Sequence, residues 1–81
     1  MREEAYATIM EMLKECLVDA RKVARKRERT IPDPVATTWW EGDTFFLRLS
    51  APEKKNRMTY SFNKDNSVSY DVLTNDLLEW Y

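Results

Sequence analysis

Residues 31–34 read Ile31-Pro32-Asp33-Pro34, and the hydrophobic period of the chain changes across this stretch. Ile31 and Asp33 each precede a proline, which disfavours the α region of backbone conformation for both. A helix that arrives from the N-terminal side must therefore end near Arg29 or Thr30. We predict a connector over residues 30–34 between a helical segment and a β segment.

The segment before the connector has the spacing of an amphipathic helix. Acidic residues lie in its first part and basic residues in its last part, which is the arrangement that the helix dipole favours. We predict one long helix over residues 2–29. Its apolar stripe comprises Tyr6, Ile9, Met10, Leu13, Cys16, Leu17, Ala20, Val23 and Ala24.

After the connector the hydrophobic period becomes two, which is typical of strands. A two-residue turn at Gly42-Asp43 pairs Trp40 with Phe45, and a second reversal places Phe45 opposite Phe62. A further turn, at residues 64–66, leads into a fourth strand. The predicted strands cover about residues 35–40, 44–50, 57–63 and 67–72.

Residues 74–81 are predicted to form a short helix capped by Thr74. The fold class is therefore α+β, one domain over residues 1–81 in the order α-β-β-β-β-α. We expect the long helix to pack on one face of a four-stranded antiparallel meander. A helix of about 40 Å exceeds strands of about 20 to 25 Å, so its basic end is expected to overhang the sheet.

This element order is similar to that of double-stranded-RNA-binding domains. Those domains carry a lysine-rich motif at the start of the last helix. The corresponding residues here are Thr74-Asn75-Asp76, which include an acid and no lysine. The resemblance is one of topology, and it assigns no family.

The residue inventory argues against catalysis. The chain has no histidine, one cysteine and one glycine. Histidine is the commonest acid-base group at neutral pH, phosphate-cradling loops need several glycines, and structural zinc needs clustered Cys and His. We predict a protein that is not an enzyme and binds no metal and no cofactor. Cys16 lies on the apolar stripe and is interpreted as a buried structural thiol.

The same inventory bears on location. No apolar run reaches the roughly 18 residues of a membrane-spanning helix, and the N-terminus lacks the pattern of a signal peptide. A secreted protein of this size usually carries disulfides, which one cysteine cannot form internally. We expect a soluble, cytoplasmic protein without a membrane partner.

Residues 21–29 hold six of the thirteen basic residues of the chain. Such a cluster is typical of phosphate-backbone binding, and it would also fit an acidic groove on a protein partner. The alternative is a solvated helix end that the dipole favours and that Asp19 and Glu28 help to neutralise. The six residues are Arg21, Lys22, Arg25, Lys26, Arg27 and Arg29.

Trp39 and Trp40 are adjacent in a predicted strand, so their side chains lie on opposite faces of the sheet. The register turns Trp40 inward and places Trp39 on the outer face, beside Phe46 and Arg48. Large aromatic residues on an otherwise polar face are typical of a binding surface. The alternative is a cross-strand aromatic pair that only stabilises the hairpin.

These features predict a non-catalytic interaction protein that modulates or inhibits a larger partner, most readily a protein. Small single-domain inhibitors encoded by phages and mobile elements, including anti-defence proteins, have this size and style. Its partner-binding residues would be Trp39, Phe46, Arg48, Arg25, Lys26, Arg27 and Arg29. The alternative is nucleic-acid binding through Arg21, Lys22, Arg25, Lys26, Arg27 and Arg29. Unprotected edge strands also leave homodimer formation open.

Overall fold

The computed structural model of the protein describes residues 2–80. The elements are α1 (Arg2–Lys26), β1 (Val35–Glu41), β2 (Thr44–Ser50), β3 (Met58–Phe62) and α2 (Tyr70–Trp80). The α+β class, the long N-terminal helix, the antiparallel sheet and the short C-terminal helix are confirmed. The sheet has three strands within residues 2–80, in the order β1-β2-β3, so the prediction of four strands is wrong.

The chain divides into two compact units. The helical unit comprises residues 2–31 and 69–80 of the described part, and the sheet unit comprises residues 32–68. In the helical unit α1 and α2 pack against each other. The predicted stripe supplies the buried residues of α1, and three leucines supply those of α2: Ile9, Leu13, Cys16, Ala20, Ala24, Leu73, Leu77 and Leu78.

The strand register in the sheet unit is the one that the apolar pattern predicts. Trp40 opposes Phe45, and Phe45 opposes Phe62 on the other side. The hairpin between β1 and β2 turns at Gly42 and Asp43, with Gly42 at φ 61°. Glycine is favoured there because the first central residue of a type II′ turn needs a positive φ.

The predicted fourth strand, residues 67–72, is replaced by the beginning of α2 at Tyr70. A turn does form before it, at residues 64 and 65 rather than 64–66, since Asn63 and Asn66 are bridged and the Asp65 N–H donates to Asn63 Oδ1 at 2.9 Å. The chain then enters a helix, because Ser69 Oγ accepts the N–H of Val72 at 3.2 Å and so caps the first turn.

Apolar spacing in this segment also favours a helix over a strand. Tyr70, Leu73 and Leu77 recur at intervals of three and four, and both leucines are fully buried. Thr74, the predicted cap, instead lies inside α2, where its hydroxyl donates to the carbonyl oxygen of Tyr70 at 2.8 Å. Tyr81, the predicted end of this helix, lies outside the described residues.

The first helix ends at Lys26, three residues before the predicted end at Arg29. Glu28 adopts a left-handed φ of 57°. The Arg29 N–H donates to the carbonyl of Ala24 at 2.8 Å, and the Glu28 N–H donates to the carbonyl of Arg25 at 3.1 Å. This pair of bonds is a Schellman motif, which ends a helix by reversing the chain through a left-handed residue.

Candidate functional site

The aromatic cluster, defined as Trp39, Phe46 and Arg48, lies on one face of the β1-β2 hairpin. The register places Trp39 directly opposite Phe46, and Arg48 follows Phe46 by two residues on the same face. The rings of Trp39 and Phe46 are stacked, with centroids 5.2 Å apart and planes 5° apart. The guanidinium carbon of Arg48 lies 4.9 Å from the centroid of the Trp39 ring.

Polar contacts fix two members of the aromatic cluster. Trp39 Nε1 donates to Glu41 Oε2 at 2.9 Å, and Arg48 Nε donates to Thr59 Oγ1 at 3.3 Å. The indole N–H is thereby satisfied inside the chain, whereas a guanidinium carries four further N–H donors besides Nε–H. The cluster therefore combines apolar ring faces with one cation of defined position.

Burial separates the two faces of the sheet along β2. Phe45, Leu47 and Leu49 are buried, while the alternate residues Phe46 and Arg48 are half-buried. Trp39 is half-buried as well. The cluster therefore lies on the less buried face, as the sequence predicts, and its side chains are accessible in part.

Arg21 and Arg29, at the two ends of the basic segment of residues 21–29, are held by backbone carbonyls. Arg21 Nε donates to the carbonyl oxygen of Ile31 at 2.9 Å, and an Arg29 terminal nitrogen donates to that of Leu78 at 3.1 Å. The Leu78 carbonyl lies in the last turn of α2, which carries no basic residue of its own. Arg29 thus supplies the cation that a helix C-terminus favours.

The basic residues in the middle of the segment form fewer polar contacts. Lys22 Nζ lies 3.9 Å from Asp19 Oδ1, a separation at the limit of an ion pair. Arg25, Lys26 and Arg27 are exposed. In the part of the chain that the structure describes, their side chains form no hydrogen bond or ion pair. Backbone carbonyls therefore hold Arg21 and Arg29, Asp19 pairs with Lys22, and the other three basic side chains are exposed.

Three of these basic residues converge on one depression, the arginine pocket. Its lining comprises Arg21, Arg25, Arg29, Thr30 and Ile31. The arginines are spaced by four residues, so a pattern was visible in the sequence. The bend at Glu28 was not, because glutamate is not a residue that favours the left-handed conformation. That bend brings Arg29 and Thr30 to the same depression as Arg21 and Arg25.

A second polar contact within the helical unit was not predicted. The Tyr70 hydroxyl hydrogen-bonds to the Asp19 carboxylate, and this bond raises the pKa of Tyr70 to about 12. Cys16 is fully buried, with its Sγ 3.5 Å from the carbonyl oxygen of Tyr70. Burial raises the pKa of the Cys16 thiol, so it stays protonated at neutral pH.

Among the described residues, no group of three or more Cys, Asp and Glu side chains is arranged to hold a metal ion. No helix within residues 2–80 is both long and apolar enough to cross a membrane. Comparison with protein-family models, with curated proteins and with solved structures finds no match for this chain.

Proposed function

We propose that the protein is a non-catalytic interaction protein that binds a larger protein partner through the aromatic cluster and thereby modulates or inhibits it. The observation that carries this proposal is the parallel stack of Trp39 on Phe46 with the guanidinium of Arg48 over the indole. Tryptophan and arginine are among the residues that contribute most to protein interfaces.

Preorganisation supports the proposal. Immobilising a flexible side chain on binding costs about 0.5 to 1.5 kcal/mol. In the aromatic cluster Trp39 is held by Phe46 and Glu41, and Arg48 is held by Thr59. Much of that cost is therefore met on folding, which leaves more of the contact energy for a partner.

The chemistry of the aromatic cluster describes the partner surface. Stacked rings favour an apolar depression, and the terminal N–H groups of Arg48 favour a carboxylate, which guanidinium binds in a bidentate manner. Thr37 and Thr59, which are exposed neighbours on the same face, add no charge. We therefore infer a partner groove that is apolar at its centre and acidic on the side that meets Arg48, away from the Glu41 carboxylate beside Trp39.

The competing interpretation is that the stack only stabilises the hairpin. Aromatic pairs add about 0.5 to 1.5 kcal/mol beyond the burial of their area. A role in the hairpin alone would make loss of partner binding follow loss of folding. The test must therefore record binding and stability on the same variants.

The experiment is partner capture from a lysate of the native host. The wild type is compared with Trp39→Ala and with Arg48→Glu, and Tyr6→Ala serves as the control because Tyr6 is an exposed aromatic in the other unit. We expect both cluster variants to lose a partner that Tyr6→Ala retains, while all remain folded at the assay temperature. Identical partner sets for all four proteins would refute the proposal.

The proposed setting is the cytoplasm, because Cys16 is a free buried thiol and small secreted domains usually rely on disulfides. Inhibitors encoded by phages and mobile elements act in this compartment on larger assemblies, and we propose that class as the more specific form of the function. This analogy is one of chain length and single-domain architecture.

A second candidate function, nucleic-acid binding, is favoured by the exposed side chains of Lys22, Arg25, Lys26 and Arg27. Binding of this kind depends steeply on salt, since each neutralised phosphate releases counterions. We expect measurable binding to DNA or RNA at about 50 mM salt if this function is correct. Undetectable binding to single- and double-stranded forms of both would exclude it.

A further inference from the structure

We propose that the arginine pocket is a binding site for a single phosphate group carried by a small molecule. Three arginines and Thr30 line the depression together with Ile31. No carboxylate is among these residues. The pocket holds about 170 Å³, several times the roughly 30 Å³ that a water molecule occupies in the liquid.

The walls of the pocket are positioned before any ligand arrives. Arg21 is tied to the carbonyl of Ile31 and Arg29 to the carbonyl of Leu78, so two guanidinium planes are fixed from opposite ends of the basic segment. A fixed guanidinium loses less conformational entropy when it binds an anion than a solvated lysine does. The pocket is therefore preorganised for a planar or tetrahedral oxyanion.

Structural hydrogen bonds account for two of the three arginines and leave the third. Arg29 serves the C-terminus of α2 through Leu78, and Arg21 holds the connector through Ile31. The carbonyls of Ala24 and Arg25, at the end of α1, are satisfied by backbone N–H groups. Arg25 is thus exposed without a structural task for its guanidinium. Arg21 and Arg29 keep further N–H donors for a ligand, and Arg25 can turn its whole guanidinium toward one.

The number and kind of donors favour phosphate over a carboxylate. A phosphate monoester carries a charge of about −1.5 to −2 and three acceptor oxygens, whereas a carboxylate carries one charge and two oxygens. Guanidinium binds phosphate oxygens in pairs. Three arginines and a threonine around one depression therefore match the charge and the acceptor oxygens of a phosphate better than those of a carboxylate.

Convergence also distinguishes this pocket from a track for a nucleic-acid backbone. A backbone is followed by cations spread along a groove. Lys22, Lys26 and Arg27 are exposed but do not line the pocket. A single phosphate group needs only the converging residues, so removing cations outside the pocket should leave its affinity almost unchanged.

The experiment is a titration of the folded protein with inorganic phosphate, at constant ionic strength, by calorimetry or NMR. Arg25→Ala removes a pocket residue, and Arg27→Ala is the matched control because it removes the same charge from an exposed arginine outside the pocket. The same three proteins are also titrated with an oligonucleotide. Neither substitution removes a side-chain hydrogen bond of the described structure, so both variants are expected to fold.

We expect saturable binding of one phosphate with a dissociation constant in the low millimolar range or below. A dissociation constant of 1 mM corresponds to a binding free energy of about −4 kcal/mol. Arg25→Ala should weaken it at least about tenfold, since a hydrogen bond to a charged group is lost, while Arg27→Ala should change it by less than about twofold. Absence of saturable phosphate binding would overturn the proposal. So would equal losses in both variants, or tight oligonucleotide binding that both variants weaken alike.

Discussion

The β1-β2 hairpin and the α1-α2 pair are ordered by different means. In the hairpin, Trp39, Phe46 and Arg48 are neighbours across one two-residue turn, and their order depends on contacts that are close in sequence. In the helical unit, Arg29 reaches Leu78 and Cys16 reaches Tyr70, contacts that span 49 and 54 residues. The aromatic cluster is therefore a local structure, whereas the arginine pocket depends on distant anchors.

The largest expected effect tests whether residues 70–80 form a helix. Leu73 is fully buried, whereas Val72 is 50% exposed. Leu73→Ala should lower the free energy of unfolding by about 2 to 5 kcal/mol, and Val72→Ala by about 0.5 kcal/mol or less. Denaturant unfolding measures both. In the predicted fourth strand Val68, Tyr70 and Val72 share the inward face. A larger loss for Val72→Ala than for Leu73→Ala would therefore contradict the helix.

The long-range anchor at the C-terminus of α2 should be worth less than a buried leucine but more than a surface charge. Arg29→Ala removes the donor to the Leu78 carbonyl. We expect the free energy of unfolding to fall by about 1 to 2 kcal/mol. Lys26→Ala, an exposed cation three residues earlier, is the control. Equal and small effects of the two substitutions would show that Arg29 does not anchor α2.

A pair of backbone substitutions compares the two regions at the same conformation. Gly42 has φ 61° and Glu28 has φ 57°, one in the hairpin and one at the end of α1. Gly42→Ala should cost about 1 to 2 kcal/mol, because a side chain disfavours positive φ. Glu28→Gly should instead stabilise the protein by up to about 1 kcal/mol. The free energy of unfolding of both variants is measured by heat or denaturant. Changes of the same sign for the two substitutions would contradict these assignments.

The smallest expected effect is a dependence of stability on alkaline pH. The pKa of Tyr70 is raised from 10.0 to about 12 by its bond to Asp19, and burial raises the pKa of Cys16 above 9.0. Groups with raised pKa values stabilise the fold at lower pH, and this stabilisation is lost as pH rises through the folded pKa. Stability should fall as pH rises from about 9 toward 12.

Tyr70→Phe separates the two titrating groups. The variant lacks the hydroxyl that bonds to Asp19, and it retains Cys16. Its unfolding midpoint should be lower than that of the wild type at pH 7, and it should decline less between pH 10 and 12. The same alkaline slope in both proteins would show that Tyr70 is not the titrating group.

The difference between the regions also explains what the sequence could predict. The period-two spacing of Phe45, Leu47 and Leu49 and the turn at Gly42-Asp43 determine one register, and the structure has it. Trp39, Phe46 and Arg48 follow directly from that register. Local patterns suffice for a site built from adjacent strands.

Residues 67–72 show where local pattern is insufficient. Six alternating residues fit a strand, but the same segment begins a helix once Ser69 caps it and Leu73 and Leu77 are included. The arginine pocket depends on a left-handed Glu28 and on contacts from Arg21 to Ile31 and from Arg29 to Leu78. None of these contacts has a signature in the spacing of residues.

The proposed function depends on whether the aromatic cluster is an energetic centre of binding or only part of the hairpin. The most direct measurement is the dissociation constant for the captured partner, determined for the wild type and for Trp39→Ala at a temperature where both are folded. We predict a loss of at least about 2 kcal/mol, a thirtyfold weakening or more. An unchanged dissociation constant in the folded Trp39→Ala protein would contradict the account.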